Sequence, residues 1–260
     1  MLHIVIPAYN EELRLPRTLR ALRRFVGARR SVLGEVEVIV VDNGSTDRTA
    51  EVAHAAATPA LPVRVVHCGR RGKGAAVRAG LLASDAELVA FMDADGATDL
   101  SALVEGARLL SAGADVAIAS RAVPGSVTTE RHSRVRAWGA AWYRRCTQRI
   151  APGIADTQCG FKLFRGDLAR EVFAATVADG FSFDVEVLGR AQRRGARIVE
   201  FPAVWDDVPG STFMPFWHGA STFWELAVIA RQLRATPDSG RVVSPLPEPI
   251  PLLLEPAVEG

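Results

Sequence analysis

Cysteine is scarce in this 260-residue chain: Cys68, Cys146 and Cys159 are its complement, and no two form a C-x-x-C pair. That excludes a disulfide framework and a thiolate zinc site, and it suits a reducing compartment. Long apolar runs are also missing. No stretch approaches the roughly 18 residues of a membrane span. The opening MLHIVIPAYNEE has neither the basic start nor the longer apolar core of a signal peptide. The expected location is the cytoplasm, with any membrane contact made peripherally at its cytoplasmic face. Charge of one sign is not in excess either. The formal net charge of +2 argues against a nucleic-acid partner held over the whole surface. No G-x-G-x-x-G follows the first apolar segment, which argues against a dinucleotide-binding oxidoreductase, and no G-x-x-x-x-G-K-[ST] phosphate loop occurs.

What is present is an ordinary globular composition, 48% hydrophobic and 23% charged, enough to bury a core without staples. Apolar runs alternate with helical patterns through the first half. Strands are predicted at His3–Ile6, Val36–Val41, Val63–Val66, Leu88–Met92 and Val116–Ala119. Helices are predicted at Leu15–Val26, Thr46–Ala57, Gly74–Ser84 and Leu100–Leu110. Repeated β-α units imply an α/β fold, a mostly parallel sheet with helices on both faces. The second half is less regular. Helices are expected at Ser133–Ile150, Asp184–Arg194 and Ser221–Arg234. A strand is expected within Asp156–Phe164, and an edge strand, interrupted by Pro202, at Ile198–Trp205. The expected organisation is a ligand-binding half at 1–122, a second half of the same domain at 123–236, and a proline-rich tail at 237–260.

Three polar motifs sit where ligands bind such sheets, beyond the carboxyl ends of strands. Asp93-Ala94-Asp95 follows the fourth strand. Two hard oxygen donors suit Mg²⁺ or Mn²⁺ with a ligand's phosphates completing the shell; the alternative is a solvated turn. Asp42-Asn43-Gly44-Ser45-Thr46-Asp47 follows the second strand. There Asp42 can accept hydrogen bonds from a base or ribose, or the segment is simply a capped turn. Gly72-Lys73-Gly74 precedes a helix, and Lys73 either touches a diphosphate or belongs to a solvated basic turn.

In this order, IVIPAYNEE, VIVVDNGSTDRT, GKGAAVRAG and VAFMDADGATD resemble the family 2 glycosyltransferases of the GT-A (Rossmann-like) fold. Further on, SRAVPGS, DTQCGFKLFR, FSFDVEVL and VWDDVPGS look like the polyprenyl (dolichyl) phosphate sugar synthases, nearest the dolichyl-phosphate β-glucosyltransferase branch. The resemblance runs to about residue 234. It implies a C-terminal acceptor-binding extension and inverting transfer of a hexose to a polyprenyl phosphate. The donor is first UDP-glucose and second GDP-mannose. Pro7, Ala8, Tyr9 and Glu11 match the loop that holds base and ribose, Asp42 the acidic nucleotide contact, and Lys73 the loop near the nucleotide. Asp93, Ala94 and Asp95 match the metal and diphosphate segment. Arg121 matches an arginine suited to the acceptor phosphate, with Arg131 or Arg134 as a second. The chain departs from the pattern at Asn43, where the family usually has a second acidic residue. It also opens on its first strand, where the eukaryotic glucosyl branch usually carries an anchor.

An ionised phosphate acceptor needs cationic positioning rather than a base, and arginine's planar fork matches it. Arg121 to Arg149 holds seven arginines and one acidic residue, Glu130. A soluble enzyme acting on a hydroxyl group of a small metabolite would instead need a general base. Asp156 and Glu186 are the candidates; Asp184 and Glu186 equally suit arginine pairing or helix capping. A catalytically silent nucleotide-sugar-binding module is a third reading, disfavoured by the intact Asp93 and Asp95. Phe213, Phe216, Trp217, Phe223 and Trp224 either meet a lipid surface or pack on the sheet. Cys159 reads as a small packed residue, and His132 as a phosphate or solvent contact.

Overall fold

The computed structural model describes residues 1–128, 143–206 and 219–234. Strands β1 (Leu2–Ala8), β2 (Val36–Asp42), β3 (Val63–His67), β4 (Leu88–Met92) and β5 (Val116–Ser120) alternate with helices α1 (Leu15–Ala28), α2 (Arg30–Leu33), α3 (Thr49–Ala55), α4 (Lys73–Leu82) and α5 (Ser101–Ser111). After the short β6 (Val127–Thr128) come β7 (Phe161–Arg165), α6 (Gly166–Ala175), α7 (Phe183–Arg193), β8 (Ile198–Pro202), β9 (Val204–Trp205) and α8 (Gly219–Arg234). Among the described residues seven strands make one sheet, in the order β3-β2-β1-β4-β7-β5-β8. All are parallel except β7, which runs antiparallel between β4 and β5. The α/β, mostly parallel expectation therefore holds.

The central strands are apolar on both faces because helices cover both. Val38, Ile39, Val40 and Val41 are fully buried. Helix α1 has Pro16 in its first turn, which its fixed φ suits. It buries Leu15, Thr18, Leu19, Leu22 and Val26, one stripe at helical spacing. From β1 the chain winds outward through β2 to β3, then crosses back to place β4 on the other side of β1. That reversal opens a crevice at the carboxyl ends of β1 and β4.

Several boundaries differ from expectation for identifiable reasons. Helix α3 starts at Thr49 rather than Thr46 because residues 45–48 are bound to the loop after β1. Thr46 N–H donates to Asn10 Oδ1 (2.8 Å), and the Asp47 carboxylate takes the Thr49 N–H (3.0 Å). The expected strand at Ile198–Trp205 breaks after Pro202. Its first part is the edge strand β8, and β9 pairs instead with β6. Strand β7 begins only at Phe161, and residues 156–160 turn to meet the ends of β4 and β5. Of the helix expected at Ser133–Ile150, residues 143–147 are helical, and 133–142 lie outside the described residues. A smaller apolar cluster of Ile150, Val185, Leu226, Ile229 and Leu233 docks α8 on α7.

Candidate active site

The loops after β1 and β2 are laced together before any ligand is considered. Asn10 adopts φ +55°, a conformation asparagine tolerates better than most residues. Its N–H donates to Ser45 Oγ (3.1 Å), the Glu11 N–H to Thr49 Oγ1 (2.8 Å) and the Glu12 N–H to Asp47 Oδ2 (3.1 Å). Ala8 is buried, Pro7 half-buried, and Tyr9 stands 60% exposed at the rim. At the end of β2, Asp42 is buried, which raises its pKa. Hydrogen bonds from Ser45 and contact with His67 (3.1 Å) outweigh that and hold it below the usual carboxylate range. Asn43 turns away to the next loop. Its Nδ2 donates to Arg70 O (2.6 Å) and Cys68 O (3.3 Å), and its Oδ1 accepts the Gly72 N–H (3.0 Å). An amide does both jobs; a carboxylate has no proton to donate to two carbonyls.

The acidic pair sits at the tip of β4. Asp93 N–H donates to Gly160 O (3.1 Å), and a Cβ on Gly160 would lie inside the Asp93 carboxylate. Gly160 is thus the seat of Asp93. From the other side Thr18 Oγ1 donates to Ala94 O (2.7 Å), fixing the turn. Asp95 Oδ1 accepts the Ala97 N–H (3.0 Å). Burial, and then the neighbouring Asp93, raise the Asp95 pKa. Burial also raises Glu11, with Asp93 and Asp95 adding to it, although Arg14 holds Glu11 through two hydrogen bonds (2.5 and 2.6 Å). Three carboxylates therefore share one negative field. Lys73, the first residue of α4, answers it with Nζ 2.5 Å from Asp93 Oδ1.

Beside this, Arg121 at the end of β5 grips Asp156 through Nε (2.8 Å) and Nη2 (2.9 Å) and lies over the Trp205 ring at 4.9 Å. Burial raises the Asp156 pKa, but Arg121 outweighs it and leaves it lowered. Glu186 is fully buried, and its oxygens take the N–H groups of Val177 and Ala178 and the side chain of Arg190. Below the acidic pair, the fully buried Lys162 bonds Asp184 Oδ1 and Cys159 O, each at 2.5 Å. Cys159 is packed without exposure, and burial pushes its thiol up to about 12. Arg131, Arg134, His132, Phe213, Phe216, Trp217 and the tail beyond Pro237 lie outside the described residues.

Such a site can bind a polyanion beside a cation-binding pair. The family model for glycosyl transferase family 2 matches residues 3–173. The chain belongs to that family. The enzyme is 36% identical over 233 residues to the dolichyl-phosphate beta-glucosyltransferase of Homo sapiens, covering 83% of this chain and 70% of that protein. It is 33% identical over 237 residues to the one of Saccharomyces cerevisiae, covering 81% and 68%. Among solved structures, glucosyl-3-phosphoglycerate synthase from Mycobacterium tuberculosis superposes with a TM-score of 0.61 at 20% identity, covering 92% of this chain and 82% of that one. TarS of S. aureus gives 0.58 at 19% identity, covering 91% and 66%. These two show the fold, the GT-A arrangement that the motifs implied.

The glycosyltransferase thus gathers Glu11, Lys73, Asp93 and Asp95 around the crevice, pairs Arg121 with Asp156, and sets Glu186 inside the core. Arg14, Thr18, Gly160 and Lys162 were not picked out in the sequence. Gly160 and Lys162 flank Phe161 within DTQCGFK, where Asp156 and Cys159 carry the sequence reading. Arg14 precedes α1 and Thr18 sits in its first turns, where they read as ordinary helix-start residues.

Proposed function

We propose that this enzyme transfers glucose from UDP-glucose, with inversion, to a polyprenyl phosphate, using Mg²⁺ or Mn²⁺ held by Asp93 and Asp95. The observation that carries this reading is the acidic pair, intact at the tip of β4, in a chain whose relatives over four-fifths of its length are dolichyl-phosphate beta-glucosyltransferases. Their sugar puts UDP-glucose ahead of GDP-mannose. The donor set fits the metal. Among the described residues no three His, Cys, Asp or Glu side chains could hold an ion by themselves. Magnesium, however, is commonly bound by one or two carboxylates plus substrate phosphates. Mn²⁺ and UDP-glucose occur together in a solved structure of the mycobacterial synthase.

In transfer, an oxygen of the acceptor phosphate bonds to the sugar's anomeric carbon as the bond to the diphosphate breaks. When bound, the metal neutralises charge growing on the leaving diphosphate. Lys73 adds an ammonium on the same side. Arg121, held in one orientation by Asp156 and Trp205, is assigned to the acceptor phosphate. A phosphate acceptor also suits what the carboxylates do. Asp156 is spent on Arg121 and Glu186 is sealed in the core, so neither is poised to deprotonate a hydroxyl. Glu11 and Asp42 are assigned to the nucleotide loop, with Pro7, Ala8 and Tyr9 beside them.

A lipid acceptor fits peripheral membrane contact at the cytoplasmic face. Among the described residues no helix is long and apolar enough to cross a membrane. Helix α8 turns Trp224 outward, 74% exposed, with Val228 one turn on and the exposed Arg231 and Arg234 beyond.

The deciding experiment supplies labelled UDP-glucose and GDP-mannose to the protein with a short-chain polyprenyl phosphate, with Mn²⁺ or with EDTA. The expected result is a glucosylated lipid that disappears in EDTA. Donor hydrolysis without labelled lipid would move the acceptor to soluble hydroxyl compounds. Asn43→Asp tests the loop that carries Lys73. It removes two donated hydrogen bonds and turns a carboxylate toward two carbonyls, a cost of about 1–3 kcal/mol. UDP affinity by calorimetry is expected to fall about tenfold. Unchanged affinity would mean that the loop needs no clamp.

A further inference from the structure

We propose that Lys73 is a resident counter-cation of the acidic pair: the metal ion must displace it from Asp93, and the donor's diphosphate receives it. This rests on the assignment of Asp93 and Asp95 as metal ligands. The ammonium of Lys73 lies 2.5 Å from Asp93 Oδ1, on the carboxylate that would hold the ion. An ammonium and a dication repel across one carboxylate, so each weakens the other's hold.

The backbone of Lys73 cannot carry it away. Asn43 clamps Cys68, Arg70 and Gly72 of the preceding loop. Gly72 has φ +123°, and a Cβ there would lie 2.1 Å from Asp179 O. Asp179 is itself held by Arg70 (2.5 Å) and Arg78 (2.6 Å). What moves is therefore the four-carbon stem of Lys73 on a fixed base. Inward there is no vacant anion to receive it, because Asp184 is bonded to the buried Lys162 at 2.5 Å. Outward, the donor brings its own negative charge to the same crevice. Lys73 thus opposes metal binding while the donor is absent and adds to donor binding once displaced. The two ligands become positively coupled, and the coupling is reciprocal.

The test is calorimetric titration of the full chain with Mn²⁺ alone and with Mn²⁺ in the presence of UDP. Lys73→Met is expected to tighten Mn²⁺ binding without UDP by roughly tenfold. UDP should then strengthen Mn²⁺ binding less in the variant than in the wild type. Lys73→Gln, which keeps a polar tip beside Asp93, serves if Lys73→Met does not fold. Mn²⁺ affinity in these variants equal to or below that of the wild type overturns the inference. Asp95→Asn locates such a failure. If Asp95→Asn loses Mn²⁺ while the Lys73 variants bind it no tighter, the metal site stands and the role of Lys73 falls. If Asp95→Asn binds Mn²⁺ as the wild type does, the metal assignment falls and the inference with it.

Discussion

Asp95→Asn is expected to lower kcat for glucosyl transfer to a polyprenyl phosphate by about 10²–10³-fold, the usual cost of removing one preorganised group that offsets transition-state charge. The melting temperature should hold or rise. Burial and the adjacent Asp93 raise the folded-state pKa of Asp95 above its unfolded value. Its ionised form therefore opposes folding at neutral pH, and a neutral amide removes that opposition. The hydrogen bond that Asp95 Oδ1 accepts from Ala97 N–H survives because an amide oxygen also accepts. Asp93→Asn is the poorer test. It discards the Lys73 ion pair along with the carboxylate, so two effects are lost at once. Asp95→Asn thus separates chemistry from folding: kcat within about threefold of wild type, with intact Mn²⁺ binding, would remove Asp95 from the metal site.

How much of this was legible in the sequence depended on whether a residue's partner was local. Strands β1 to β5 and helices α1, α4 and α5 were readable because continuous β-branched runs and 3.6-residue stripes announce burial directly. The acidic pair and Lys73 were readable because Asp93-Ala94-Asp95 follows β4 directly and Lys73 opens α4. Helix α6, Gly166–Ala175, carries its own amphipathic stripe but follows β7 without a break, and Gly166 is itself the first helical residue rather than part of a separating turn. The antiparallel direction of β7 was not readable, since strand direction is set by where a chain returns from and not by its composition. Asn43 shows the limit most clearly. By sequence it is only a departure from the family's usual acidic residue. In the structure the amide is a clamp on a loop 25–29 residues away. Arg121 and Asp156 were each assigned separately to the acceptor. Their pairing across 35 residues exists only once β5 and the turn before β7 lie side by side.

Lys162→Met is expected to destabilise the protein by roughly 3–5 kcal/mol, because it leaves the Asp184 carboxylate buried without its cation. For a chain of this size that corresponds to a melting temperature lower by about 6–20 °C. Neither side chain can turn to water: Lys162 is 0% exposed and Asp184 5%. The ammonium also lies 5.0 Å from the centre of the Phe91 ring, which packs on Phe183 at 5.8 Å. The double variant Lys162→Met, Asp184→Leu should recover at least half of the loss, since an apolar pair in a buried ion pair's place is often neutral. Recovery is not complete because Cys159 O loses the donor it has from Lys162. The same strand links stability to the site. Lys162 registers with Phe91 of β4 and Ile118 of β5, and two residues earlier Gly160 seats Asp93. A loosened pair should therefore lower transfer as well as stability, and the double variant should restore both together. A loss below about 1 kcal/mol in Lys162→Met would mean that Asp184 sits in the core as a neutral acid. Burial already pushes its pKa that way, against the pull of Lys162 and Lys73. The base of the site would then rest on a hydrogen bond rather than an ion pair.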